Sequence, residues 1–159
     1  MKKEHKKTII RFSWVLFIIY IIAMAYFLFF SEYLNRGRMR GDFRYNLVLL
    51  KEVKRSFWCL RNGNYHYFAL NFIMNIVAFV PFGFFLPLIS RTRTGRKFWY
   101  VMLTALGFTV TIEVTQLVLK VGTFDVDDIL LNTIGGFIGF LLFKIMQGIW
   151  WIVRKVWIK

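Results

Sequence analysis

Glu113, Gln116, Asp125, Asp128 and Asn132, with Asn71 and Asn75, are the residues of this chain whose types suit chemistry in an apolar setting. The chain has eight Asp and Glu residues, and four of them (Glu113, Asp125, Asp127 and Asp128) lie within the stretch EVTQLVLKVGTFDVDD. A carboxyl inside a hydrophobic run can act as general acid or base, and several together can ligate a hard cation while amides orient a ligand. Plainer roles are open at the same positions. Asp125 can cap a helix whose positive end Asp128 favours, and Asn71 and Asn75 can bond neighbouring helices.

Spacing groups these residues. Asn71 and Asn75 are four apart, and Glu113 and Gln116 three apart, so each pair shares a helix face. Asp125, Asp128 and Asn132 continue into Gly135 and Gly139 along one stripe, where small residues let another helix approach closely. The same geometry sends Asp127 elsewhere, toward solvent or headgroups. Glu113 stands roughly 10 Å inside its run at a rise of about 1.5 Å per residue. An ionised group at that depth costs about 2.5–3.5 kcal/mol on insertion scales. It must therefore face a cavity, a cation or a hydrogen-bonding neighbour. A cationic partner would come from Lys120 or from the basic loop after the first span.

The elements that position these groups are hydrophobic runs long enough to cross a bilayer. Apolar residues make up 58% of the chain and aromatic residues 20%, more than a soluble domain carries. The expected fold is all-α: a polytopic membrane protein, one domain over residues 1–159, with transmembrane helices at about 12–30, 67–89, 98–119 and 127–149. No small-residue cleavage site follows the first run, which reads as an uncleaved helix. Pro81 predicts a kink in a packed second span. Lys144 is placed to snorkel, and residues 150–159, which alternate aromatics with cations, read as an interfacial anchor. Antiparallel neighbours bring the start of the second span, the end of the third and the start of the fourth to one membrane side. Those three ends hold the polar residues.

Residues 47–61, in the long connection after the first span, read as a helix lying in the membrane interface. Leu50, Val53, Phe57 and Leu60 form its apolar stripe, with Lys51, Lys54 and Arg55 off it. The net charge of +14 belongs to cations flanking apolar spans, which points to anionic headgroups and away from nucleic acid. With the N-terminus inside, thirteen Lys and Arg fall on cytoplasmic pieces and nine outside, so both termini are expected in the cytoplasm. Cys59 is the single cysteine and can form no intrachain disulfide. His5 and His66 make no metal cluster; His66, between two tyrosines, reads as an interfacial anchor. No metal or cofactor is expected.

With these residues in place, the chain resembles the VanZ-like family of small bacterial membrane proteins, over roughly residues 44–139. The family's second-span pattern appears as NIVAFVPFG (75–83), its third-span Glu and Gln as EVTQ (113–116), and its Asp, Asp, Asn-Thr and Gly-pair element as DVDDILLNTIGG (125–136). The first-loop element departs from the family, which tends to have Asn-Leu-x-Pro-Phe where this chain reads RYNLVLL (44–50). The resemblance implies a multi-pass protein of the bacterial cell membrane, linked through the family's namesake to resistance to the glycopeptide teicoplanin.

The functional expectation is a protein that binds or modifies a lipid-linked or cell-envelope ligand at the outer leaflet. Glu113, Asp125 and Asp128 are its candidate catalytic residues, and Asn71, Asn75, Gln116, Asn132 and Arg44 its candidate ligand-binding residues. The alternative is a lipid-modifying or lipid-hydrolysing membrane enzyme in which Glu113 and Asp125 or Asp128 do acid–base work. The expected partners are membrane lipids or a lipid-linked envelope precursor, and the oligomeric state stays open.

Overall fold

The structure is a computed structural model that describes residues 3–30 and 43–157. Its long elements are helical: α1 (Lys3–Phe30), α2 (Lys51–Arg61), α3 (Tyr65–Phe68), α4 (Met74–Ile89), α5 (Phe98–Leu119) and α6 (Val126–Trp157). A π-turn at Ala69–Ile73 joins α3 to α4 without a break in the helical path. Four helical stretches are long and apolar enough to cross a membrane: Lys7–Phe29, Tyr65–Ile89, Phe98–Leu119 and Val126–Val153. In hydrocarbon, a backbone that bonds to itself leaves no polar group stranded, so apolar runs of this length are helical. Large side chains such as Ile18, Ile22, Leu103, Val118 and Ile145 project outward, and a bilayer covers them.

The expected bounds hold for the third span. The second begins two residues earlier, and α4 runs through Pro81 and Pro87 to Ile89. Its irregular turn lies about two to three turns before Pro81, at Ala69–Ile73. The tail beyond Ile149 continues as part of α6 to Trp157.

Two contacts organise the bundle. The first joins α4 and α6 through glycines. A Cβ on Gly135 would strike the Ile76 carbonyl, one on Gly139 the Val80 carbonyl, and one on Gly83 the Gly136 carbonyl. Three glycines therefore let two backbones touch directly. The second is an aromatic core of Phe79, Phe82, Ala105, Ile112 and Met24, in which Phe82 stacks on Phe108 with ring centroids 4.8 Å apart. α1 lies at the edge of the bundle. Phe17 packs on Phe82 and Phe85, and the Tyr20 hydroxyl donates to the Ala78 carbonyl at 2.7 Å.

Outside the spans, β1 (Tyr45–Asn46) and β2 (Phe124–Asp125) form a two-residue parallel pair, with Asn46 opposite Asp125. The pair ties the long first connection to the loop between α5 and α6. α2 starts at Lys51, after the expected start, and buries Ser56 and Cys59 against the bundle. The expected apolar stripe is only partly covered: Leu50 and Phe57 are 40% and 43% exposed, Val53 and Leu60 are half-buried, and the Phe57 ring packs on Phe68 and Phe72 with centroids 5.3 and 5.1 Å away. Polar Ser56 sits inside because α2 is held down by its N-terminus, described next.

Candidate functional site

The antiparallel hairpins bring the polar ends together as their order requires, but they sort them into two groups with different exposure. The inner group is closed to solvent: Glu113 is 2%, Gln116 2%, Asn132 4%, Asp125 7% and Asp127 0% exposed.

Each inner residue is spent on the fold. Glu113 Oε2 accepts the Asp125 backbone N–H at 3.1 Å, which pins the loop onto α5. Asp125 Oδ1 accepts the Asp127 backbone N–H at 2.8 Å, an N-cap for α6 that satisfies one of its unpaired donors. Both Asp125 oxygens also accept Asn46 Nδ2, each at 3.1 Å. Burial pushes the Asp125 carboxyl above its usual range, against the pull of the Asp127 N–H and Asn46 donors. Gln116 donates to the Leu28 carbonyl near the end of α1 at 3.1 Å. Asn132 donates to Thr109 Oγ1 on α5 at 2.8 Å, so it leaves the expected stripe and faces α5 instead of α4.

Asp127 departs furthest from expectation. The expected solvent-facing carboxylate is fully buried, because the helix interface that its spacing addresses is occupied by α2. It accepts the backbone N–H groups of Leu50, Glu52 and Val53, so it caps α2 from 75 or so residues away in the sequence. Leu50 adopts φ 63°, in the left-handed region, which costs a non-glycine residue about 1–2 kcal/mol. The bond from its N–H to Asp127 helps hold that conformation.

The outer group forms a seam between α2 and the second span, and its members are partly exposed. Asp128 Oδ1 accepts Asn75 Nδ2, which also reaches the Asn71 carbonyl at 3.1 Å. Asn71 Nδ2 donates to the Tyr67 carbonyl at 2.9 Å. The Tyr67 hydroxyl donates to Glu52 Oε2 at 2.8 Å. Glu52 pairs with Arg55 at 3.5 Å, and the Arg55 guanidinium lies over the Tyr67 ring, 5.1 Å from its centre. The π-turn at Ala69–Ile73 carries Asn71 in the middle of this seam. Such turns commonly mark functional positions, because the extra residue re-aims side chains.

The seven sequence-selected groups are therefore gathered at one bundle end. Asn71, Asn75 and Asp128 join one seam, and Glu113 and Asp125 one buried node. Arg44 is not brought in: its side chain is exposed, and it contributes its backbone carbonyl, which accepts the Phe124 N–H at 3.1 Å. Among the described residues no three His, Cys, Asp or Glu side chains converge as a metal site. Sequence reasoning missed Asn46, Glu52, Tyr67 and Thr109. Only Asn46 carried a signal, as the Asn of the first-loop element.

The VanZ/LLP1 family model matches residues 17–147. The chain is 31% identical over 127 residues to "Protein VanZ" of Enterococcus faecium, covering 71% of this chain and 75% of that protein. No solved structure matches significantly. The chain belongs to the VanZ/LLP1 family.

Proposed function

We propose that this VanZ/LLP1-family membrane protein contributes to teicoplanin resistance by binding a lipid-linked or cell-envelope ligand at the outer leaflet. Both termini then lie in the cytoplasm, as the Lys and Arg distribution favours. The observation that carries the reading is the seam from Arg55 through Glu52, Tyr67, Asn71 and Asn75 to Asp128. It sets two side-chain amides and a carboxylate, all partly exposed, beside the exposed cations Lys51, Lys54 and Arg55 of α2. That mixture suits a ligand with both anionic and hydrogen-bonding groups at a headgroup boundary.

Binding is favoured over catalysis by the burial of Glu113 and Asp125. A general acid must come within hydrogen-bond reach of its substrate. These two carboxyls face the chain's own backbone and Asn46. Asp128, of the three candidate carboxyls, is the one a ligand can reach.

The test uses cells carrying this protein as their source of teicoplanin tolerance. Asp128→Asn and Asn75→Ala should express stably and lose at least about fourfold in inhibitory concentration. Glu113→Gln, which keeps an acceptor for the Asp125 N–H, should retain most of it. Full tolerance in both seam variants at normal protein level would overturn the reading. Loss in Glu113→Gln with normal folding would restore the enzyme alternative.

A further inference from the structure

We propose a second ligand site at the opposite membrane boundary, a cleft that holds the headgroup of an anionic phospholipid. Trp14 of α1, Leu86 and Ile89 of α4, Ser90 and Arg91 of the following turn, and Tyr100 of α5 line an open cleft of about 370 Å³. That volume falls within the range of about 300–1,000 Å³ that small-molecule sites occupy. The polar seam lies at the starts of the second and fourth spans and this cleft at the end of the second, so a bilayer separates them.

Two independent features identify the occupant. The first is the arrangement of donors. Among the described residues, no hydrogen bond or ion pair engages the Trp14 indole N–H, the Tyr100 hydroxyl or the Arg91 guanidinium. All three belong to the lining of one cleft. Ser90 is differently employed: its carbonyl accepts Arg96 Nε and Nη2 at 3.2 and 3.0 Å, which fixes the turn that carries Arg91. Trp14 and Tyr100 are 43% and 44% exposed and Arg91 is exposed, so these donors are open to a headgroup, and a guanidinium matches a phosphate in charge and shape.

The second feature is charge and polarity by depth. Arg91, Arg93, Arg96 and Lys97 follow α4, and Lys7 and Arg11 lie on the facing end of α1. Residues 7–30 and 90–112 contain no Asp or Glu. Toward the bilayer centre the wall turns apolar through Leu86 and Ile89. A water-soluble phosphate would gain nothing from that wall, whereas an acyl chain attached to the phosphate would lie along it. Trp and Tyr beside the cation supply the amphipathic rim found at headgroup depth.

The test is thermal unfolding of purified full-length protein in neutral detergent. Dioleoyl-phosphatidylglycerol or dioleoyl-phosphatidylcholine is added at equal mole fraction, with glycerol 3-phosphate as the soluble probe. The glycerol lipid should raise the melting temperature about 3–6 °C beyond the choline lipid, the shift that roughly tenfold tighter occupancy gives a chain of this size. Arg91→Gln should lose most of that difference, and Arg93→Gln, from the same turn but outside the cleft, should keep it. Equal shifts with the two lipids, or equal losses in the two variants, would overturn the site in favour of bulk attraction. An equal response to glycerol 3-phosphate would show a free-phosphate site instead. If Arg91→Gln fails to fold, quenching of indole fluorescence by brominated phosphatidylglycerol decides. It should fall in Trp14→Phe protein, and unchanged quenching would refute the cleft. The outcome is independent of the teicoplanin reading, whose residues lie at the other boundary.

Discussion

Asp127 and Asp128 are adjacent in the chain and serve different partners. Asp127 is fully buried and accepts three backbone N–H groups from the start of α2, whereas Asp128, partly exposed, accepts Asn75 from the second span. One residue of helical rotation, about 100°, divides an anchor from the candidate ligand site.

The anchor should carry the folding cost. Asp127→Ala leaves the first turn of α2 without a cap and removes charge-assisted bonds worth about 1.5–3 kcal/mol apiece at most. The expected loss is about 2 kcal/mol or more, read as a lower melting temperature in detergent. Trypsin should cleave faster at Lys51, Lys54 and Arg55 while cutting elsewhere is unchanged. Asp127→Asn, with one acceptor oxygen retained, should fall between. Wild-type resistance to trypsin in the alanine variant would show that α2 is held by packing instead.

The glycine contact should not tolerate even a methyl group. A Cβ at Gly135 or Gly139 meets a backbone carbonyl of α4, which cannot swing aside as a side chain can. Gly135→Ala and Gly139→Ala should each lose about 1–3 kcal/mol, the usual cost of overpacking. Gly107→Ala is the control, since nothing stands within 4 Å of its would-be Cβ, and it should melt as wild type or slightly higher. Matching melting temperatures for all three variants would place α4 and α6 further apart.

Asp125 should make stability depend on pH in the less common direction for a carboxylate. Its pKa lies above the usual 3.8 in the folded protein, chiefly through burial. The unfolded chain therefore releases this proton at lower pH than the folded one. The group's contribution is complete below pH 3.8 and is lost as pH rises through the raised value. The melting-temperature difference between wild type and Asp125→Asn should thus shift against wild type as pH climbs from about 4 to 7. A difference independent of pH would mean that Asn46 and the Asp127 N–H fully offset the burial.

Orientation can be read by cysteine labelling, although not at the native thiol. Cys59 is buried, 7% exposed, on the face of α2 that meets the bundle, so an impermeant maleimide should leave it largely unmodified. Asn62→Cys in a Cys59→Ser background places a thiol on the exposed turn after α2. That thiol should label on intact cells if the termini are cytoplasmic. Labelling only after membranes are opened would invert the protein and move the seam to the inner leaflet.

The sequence by itself determined the spans, because hydrocarbon enforces internal hydrogen bonding on any run of sufficient length, whatever its neighbours. It also determined that the polar ends meet, since three consecutive antiparallel spans leave no other arrangement. The α4–α6 contact was legible for the same kind of reason: Gly135 and Gly139, four apart, can only matter by admitting another backbone. Tertiary structure decided what each polar group does there. Helical spacing fixes the direction of Asp127 but not what waits in that direction, and α2, folded back from the first connection, fills the place expected to hold water. Likewise Glu113 faces a backbone N–H because the α5–α6 loop turns at Lys120, with φ 56°, and returns across the helix end. Asn132 meets Thr109 because α6 is wide enough to touch α4 and α5 at once. Each of these outcomes depends on a partner distant in sequence, and local periodicity holds no record of it.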